Sequence, residues 1–126
     1  MARHAFYKLV DGTLELDGVR MHQTKRVSPL QDAAGKVSLL RLRQGERVLD
    51  VCTGLGYTAI CESEAGALVT TIELDEEVLS LARQNPESKK LFASKRIKLV
   101  AGDAGEQVAS FPDNSFHAVL HDPPRF

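Results

Sequence analysis

Four acidic residues closing successive apolar runs, with two glycines after the first, are where this sequence could do chemistry. Val48-Leu49-Asp50 leads through Val51-Cys52-Thr53 to Gly54-Leu55-Gly56, and Tyr57-Thr58-Ala59-Ile60 follows. Strand, glycine-bearing loop and helix start in that order let a backbone approach a ligand closely, and the helix N-terminus favours electron-rich groups. Glu73 closes the second run, at a spacing from the glycines where a carboxylate can accept both hydroxyls of a ribose diol. Asp103 closes the third run, in Ala101-Gly102-Asp103, where an acid can take a hydrogen bond from an adenine amino group. Asp122 closes the fourth, in His121-Asp122-Pro123-Pro124-Arg125-Phe126.

Each piece alone has a plain structural reading. Gly54-Leu55-Gly56-Tyr57-Thr58-Ala59 fits the GxGxxA dinucleotide fingerprint, but a lone match is often only a turn. Glu73 alone is a helix-flanking charge, Asp103 a turn residue, and Asp50 a satisfied polar group at a strand end. Their shared position changes the odds. All fall at carboxyl ends of expected strands, where open α/β sheets bind ligands.

The elements that must position them read as follows. Asp11-Gly12 and Asp17-Gly18, between β-prone runs, predict a small antiparallel meander over residues 1–27. A helix is expected from Ser28 to the residues before Gly45, with Ser28 as cap, Pro29 at the first position and Gln31 completing a capping box. From Arg47 onward strand and helix alternate. RVLDVC, ALVTTIE, RIKLV and SFHAVLH are the strands, and YTAICESEA, EEVLSLARQ capped by Asp75, and EQVASF are the helices. SKKLFAS is expected to add a helical turn or two. Such alternation predicts an α/β fold with a mostly parallel sheet over residues 28–126 and helices on both faces.

Composition narrows the class. At 126 residues and a formal charge of −1, the chain fits one soluble domain without a whole-domain attraction to nucleic acid or anionic membrane. No membrane span or signal peptide is evident. Cys52 and Cys61 form no ligand cluster, so no metal is expected and both are read as reduced thiols of a cytoplasmic protein.

The series VLDVCTGLG, TTIELD, VAGDA and FHAVLHDPP resembles the ordered motifs of class I S-adenosylmethionine-dependent methyltransferases, over residues 47–126. LDGVRMHQTK, PLQDAAGKV and HDPPRF are similar to a group of predicted methyltransferases found largely in archaea. The resemblance implies a Rossmann-like fold with S-adenosylmethionine as cofactor. It assigns Asp50, Thr53, Gly54 and Gly56 to the methionine end, Glu73 to the ribose, and Asp103 with Ala104 to the adenine. Tyr57 and Thr58, opening the following helix, join the cofactor set, with Thr58 either reaching the cofactor carboxylate or satisfying the helix start. His121 joins it on the cofactor side of the fourth strand, the alternative being a packed strand-end histidine. One departure stands out: Cys52 occupies the first glycine of the acid-x-Gly-x-Gly-x-Gly pattern.

Asp122-Pro123-Pro124-Arg125 then reads as a catalytic floor. Residues before proline are extended and proline fixes its own φ, so the stretch is stiff. Neither proline has an N–H to donate, which leaves carbonyls and the Asp122 carboxylate as acceptors for an attacking amine. The pattern resembles the Asp/Asn-Pro-Pro-aromatic motif of amino-group methyltransferases, with Arg125 in the aromatic position. Arginine there can stack on a ring or grip an anion.

The family fold has seven strands, whereas four are expected in the main sheet here. The chain is therefore expected to be truncated or completed by a partner, with the fourth-strand edge open to homo-oligomer pairing. The methyl acceptor stays open among nucleobase, protein and small amine. Alternatives weighed are an aminopropyltransferase like spermidine synthase, a nicotinamide-dependent oxidoreductase, and a non-catalytic cofactor-binding or assembly module. His22, Lys25 and Arg26 are a further cluster, best read as solvated charge.

Overall fold

The computed structural model describes residues 28–121 and, ahead of them, strands 7–10, 13–16 and 19–20. β1 (Tyr7–Val10), β2 (Thr13–Leu16) and β3 (Val19–Arg20) form an antiparallel sheet in that order. Val10 pairs with Thr13, and Leu16 with Val19. The two Asp-Gly turns, the His22, Lys25 and Arg26 cluster, and Asp122 to Phe126 lie outside the described residues.

α1 (Pro29–Ser38) starts with the capping box read from the sequence. Ser28 Oγ accepts from the Gln31 amide at 3.1 Å, and Gln31 Oε1 accepts from the Ser28 amide at 3.1 Å. Two of the orphan amides of the first turn are thereby satisfied. The helix ends at Ser38, well short of Gly45. The amides of Leu39, Leu40 and Arg41 turn to carbonyls three residues back, and Arg41 takes φ 49°. Beyond that, Leu40 and Leu42 face the core at a spacing of two, as extended chain does, while Leu39 is 81% exposed. Tertiary packing of alternate leucines has overridden the helical pattern.

The main sheet contains β4 (Arg47–Val51), β5 (Leu68–Glu73), β6 (Ile97–Ala101) and β7 (Ala118–His121), all parallel, in the order β6-β5-β4-β7. Between them run α2 (Tyr57–Glu64), α3 (Glu76–Gln84), a 3₁₀ turn (Pro86–Ser88), α4 (Lys89–Ala93) and α5 (Ala104–Ser110). Val48, Val69, Ile97 and Ala118 are register partners on one face of the sheet. They pack with Ala33, Ala59, Ile60, Val78, Ala82 and Leu91 from α1 to α4. A fully buried Leu91 contributes about 1.5–3 kcal/mol by leaving water.

The path β4-α2-β5-α3-β6 moves outward in one direction, and β6-α5-β7 crosses back to the other side of β4. Right-handed crossovers therefore put α5 on the opposite face from α2 and α3. The reversal also makes β4 and β7 the point where strand order switches, and ligands of open α/β sheets bind at carboxyl ends there. On the strand-edge side of that point, Val119 of β7 is 57% exposed. No helix among the described residues is long and apolar enough to cross a membrane.

Candidate functional site

Register brings the expected site residues to one end of the sheet. Val51 pairs with Ile72 and with His121, and Glu73 pairs with Ala101. Asp50, Glu73, the Asp103 that follows β6, and His121 thus share the carboxyl edge.

The loop leaving β4 is bent over β5 by two consecutive amides. Cys52 N–H and Thr53 N–H both donate to the Ile72 carbonyl, at 3.0 and 3.1 Å. Aiming both amides at one oxygen forces Cys52 to φ 71°, a conformation natural to glycine and strained in other residues by about 1–2 kcal/mol. The residue type that departed from the glycine pattern thus sits in a glycine's backbone conformation. Neither Cys52 nor Cys61 is in a disulfide.

The two glycines do different work. Gly54, at φ 57°, has no heavy atom within 4 Å of where a Cβ would stand, so its side-chain direction opens onto free space. Gly56, at φ 85°, caps α2, and a Cβ there would come within 2.6–2.9 Å of the Leu91 side chain. Gly54 leaves room for a ligand, and Gly56 lets α4 close in behind the loop.

Glu73 ties loop to sheet. Its Oε1 accepts the Gly54 amide at 2.8 Å and its Oε2 accepts the Asp75 amide at 3.0 Å. Burial raises its carboxyl above the ordinary range, against the opposing pull of the Gly54, Asp75 and Leu74 amides. A carboxylate has about four acceptor positions, so two hydroxyls can still be accepted.

Asp50 is 1% exposed and belongs to the scaffold under the loop. Its Oδ2 accepts from Thr58 Oγ1 at 2.7 Å and its Oδ1 from Thr71 Oγ1 at 3.0 Å. Thr71 has spent its one hydroxyl hydrogen there, so Thr53 Oγ1 is the donor in their 2.7 Å contact. Thr53 and Thr58 therefore hold the loop with their side chains rather than pointing them outward. Tyr57 is 3% exposed and lies in the core, its hydroxyl accepting from Asn85 Nδ2 at 2.8 Å. Asp103 caps α5 through the Glu106 amide at 3.0 Å and remains exposed, with Ala104 half-buried beside it. His121 is exposed. The Asp122 to Arg125 motif lies outside the described residues.

Three residues that sequence reading passed over complete the support. Asn85 Nδ2 also donates to Ser88 Oγ, and Ser88 Oγ donates to the Leu55 carbonyl at 2.7 Å. This chain of bonds fastens the loop to the α3–α4 connection. Glu62, on α2, is fully buried, and its carboxyl has only the Asp50 carboxyl beside it rather than a donor from the surrounding scaffold. Burial, then the Asp50 carboxylate acting through its charge, push the Glu62 carboxyl up to about 10. At neutral pH its carboxyl holds a proton, beside the Asp50 side chain. Among the described residues no group of three or more histidines, cysteines or acids could hold a metal ion.

The open side of Gly54, the half-buried Glu73 carboxylate and the exposed Asp103 lie at the carboxyl ends of neighbouring strands and are the residues that could cradle an adenosyl cofactor. Residues 48–122 match the methyltransferase domain family. The whole chain is 46% identical to an uncharacterized protein of Methanocaldococcus jannaschii, of which it covers 44%. Over 99 residues, 75% of the chain, it is 32% identical to ribosomal RNA small subunit methyltransferase B of Yersinia enterocolitica, covering 22% of that protein. Spermidine synthase from Thermotoga maritima superposes on 87% of the chain with a TM-score of 0.71, at 22% identity and over 39% of its own length, a likeness of fold alone. The chain thus spans less than half the length of these proteins. With the ordered motifs, the parallel sheet and the family match in agreement, this chain belongs to the class I S-adenosylmethionine-dependent methyltransferases.

Proposed function

We propose that the protein transfers a methyl group to an amino nitrogen held by Asp122, Pro123 and Pro124. The observation that carries the reading is the register of β7 on β4. His121, the last residue of β7, pairs with Val51, the last of β4, so β7 ends beside the loop that begins at Cys52. Chain continuity thereby supports a motif position next to the cradle.

The cofactor, when bound, supplies an electrophilic methyl on a sulfonium centre. The chain's residues do the rest. Glu73 accepts the ribose hydroxyls, the Gly54 backbone lets the methionine end approach, and Asp103 faces the adenine. Asp122 and the proline carbonyls orient the amine lone pair and stabilise positive charge developing on nitrogen. Arg125 stacks on the acceptor or grips its anionic part. His121, at the carboxyl end of β7, faces the cofactor. The acceptor class includes nucleobases, protein side chains and small amines, and the ribosomal RNA methyltransferase relative favours the first. The outer edge of β7, last in the strand order among the described residues, is the surface for pairing with further chain or a second copy. Light scattering at working concentration tests that pairing, and a stable monomer contradicts it. A cytoplasmic location belongs to the same reading.

The test uses methyl-labelled S-adenosylmethionine with a short RNA, a lysine peptide and spermidine as acceptors. Label on nitrogen, lost in Asp122→Ala while S-adenosylhomocysteine still binds, is expected. Label on carbon or oxygen overturns the amine reading. Binding without any transfer would identify a non-catalytic cofactor module instead. Turnover only with the decarboxylated cofactor would make it an aminopropyltransferase.

A further inference from the structure

A second surface lies away from the cradle, on the far side of the α3–α4 connection. Arg83, Gln84, Asn85, Pro86, Lys89 and Phe92 line a groove of about 430 Å³. Phe92 is 40% exposed, a large apolar ring left facing water. The Arg83 guanidinium lies over it, 5.4 Å from the ring centroid. Arg83 and Lys89 are exposed and have no ion pair among the described residues, whereas Lys90 is paired with Glu64 at 3.1 Å.

Charge is concentrated at this place. Residues 83–98 contain six cations (Arg83, Lys89, Lys90, Lys95, Arg96 and Lys98) against one acid, Glu87, in a chain whose formal charge is −1. The remaining residues are therefore net acidic by six charges. Glu87 acts toward Tyr57, whose hydroxyl its charge helps keep protonated after the larger effect of burial. Lys95 and Arg96 follow Phe92 on the turn that leaves α4.

An exposed ring under a guanidinium, flanked by an amine and a carboxamide, is complementary to a flat heteroaromatic ring joined to an anion. Bases stack on such platforms at about 1–3 kcal/mol each, while cations alongside track the phosphates. A duplex hides its base faces, so the ring selects unpaired bases. An acidic peptide would use the cations but leave Phe92 without a role. We propose that the groove of Arg83, Gln84, Lys89 and Phe92 is a docking site for single-stranded nucleic acid, one base on the Phe92–Arg83 stack and the adjoining phosphates on Lys89 and Arg83. Asn85, in the groove wall, is bonded to Tyr57 and Ser88, so this surface is built on the same rigid unit as the glycine loop. The site stands on its own geometry and does not depend on which atom is methylated.

Fluorescence anisotropy with a labelled 12-nucleotide RNA strand, the matching DNA strand, an RNA duplex and a glutamate-rich peptide tests it. Both strands should bind more tightly than the duplex and the peptide, and a preference between the strands would report the sugar. Phe92→Ala should weaken strand binding about 5- to 100-fold with little change in its salt dependence. Lys89→Ala should weaken it and reduce the slope of log K against log salt by about 0.7. Both side chains are exposed, and unchanged unfolding midpoints would confirm intact folds. Glu73→Ala should bind the strand as before, which separates this site from the cofactor cradle. Strand binding that is absent, equal to peptide binding, or untouched by both groove variants overturns the proposal.

Discussion

Replacing Glu62 by Gln should make the protein more stable, by an amount that grows with pH. The side chain is fully buried beside Asp50, and its carboxyl is pushed up to about 10 by burial and then by the charge and hydrogen bonding of Asp50. In the unfolded chain a glutamate ionises near about pH 4.3. Between these values the folded state holds a proton that the unfolded state has released. Stability must then fall as pH rises, by about 1.4 kcal/mol per pH unit from this one group. At neutral pH the accumulated loss is about 3–4 kcal/mol, a sizeable share of the roughly 5–15 kcal/mol that holds a domain together. The carboxamide of the variant would keep the shape, release no proton, and offer an N–H to Asp50. Denaturant unfolding at pH 5, 6, 7 and 8 measures the difference, and far-ultraviolet circular dichroism is the suitable signal because the chain has no tryptophan. Titrating groups that do not interact with Glu62 are common to both proteins and cancel in the difference. The variant should gain roughly 1 kcal/mol over wild type at pH 5 and progressively more at each step above it. A stability difference that stays constant across that range would refute the reasoning.

Other outcomes follow from the loop. Gly54→Ala should leave stability within about 1–2 kcal/mol of wild type, since its Cβ meets nothing, yet impair S-adenosylhomocysteine binding in calorimetry. Gly56→Ala should instead lose about 2 kcal/mol or more in denaturant unfolding, because strain at φ 85° adds to a clash with Leu91. Cys52→Gly should be neutral or stabilising by up to about 1 kcal/mol, whereas Cys52→Val should destabilise, as β-branched residues resist φ 71°. Thr71→Val should lose about 1–3 kcal/mol in thermal or denaturant unfolding, because it leaves Asp50 Oδ1 and Thr53 Oγ1 without their partner.

What the sequence disclosed was local in origin. Ser28 and Gln31 lie three residues apart and satisfy each other, so the start of α1 could be read directly, as could the Asp75 cap, which accepts the Glu77 amide at 2.9 Å. The succession of strands that carries Asp50, Glu73 and Asp103 followed from alternating apolar runs and short loops. The end of α1 was not legible, because Leu40 follows the buried Val37 by three residues, as it would in a continuing helix, although packing sets Leu40 and Leu42 on an extended course. Nor were the loop's supports. Ser88 bonds Leu55 across 33 positions and Asn85 bonds Tyr57 across 28, separations that carry no periodic signature. Tyr57 and Thr58 join the cofactor set in the sequence because they open the helix after the glycines, with helix-start support as the alternative for Thr58; in the fold the Tyr57 hydroxyl accepts from Asn85 and Thr58 donates to Asp50. Nothing in the sequence around Glu62 sets it apart from the other acids of its helix. Only packing shows that it shares the interior with Asp50.

The central claim is that the loop from Cys52 to Gly56, Glu73 and Asp103 form a cradle for an adenosylated methyl donor. Calorimetric titration with S-adenosylhomocysteine, using NAD as the control, tests it most directly. The account predicts binding of S-adenosylhomocysteine alone, abolished in Glu73→Ala with the fold intact. Binding of NAD, or S-adenosylhomocysteine binding that survives loss of the Glu73 carboxylate, would contradict it.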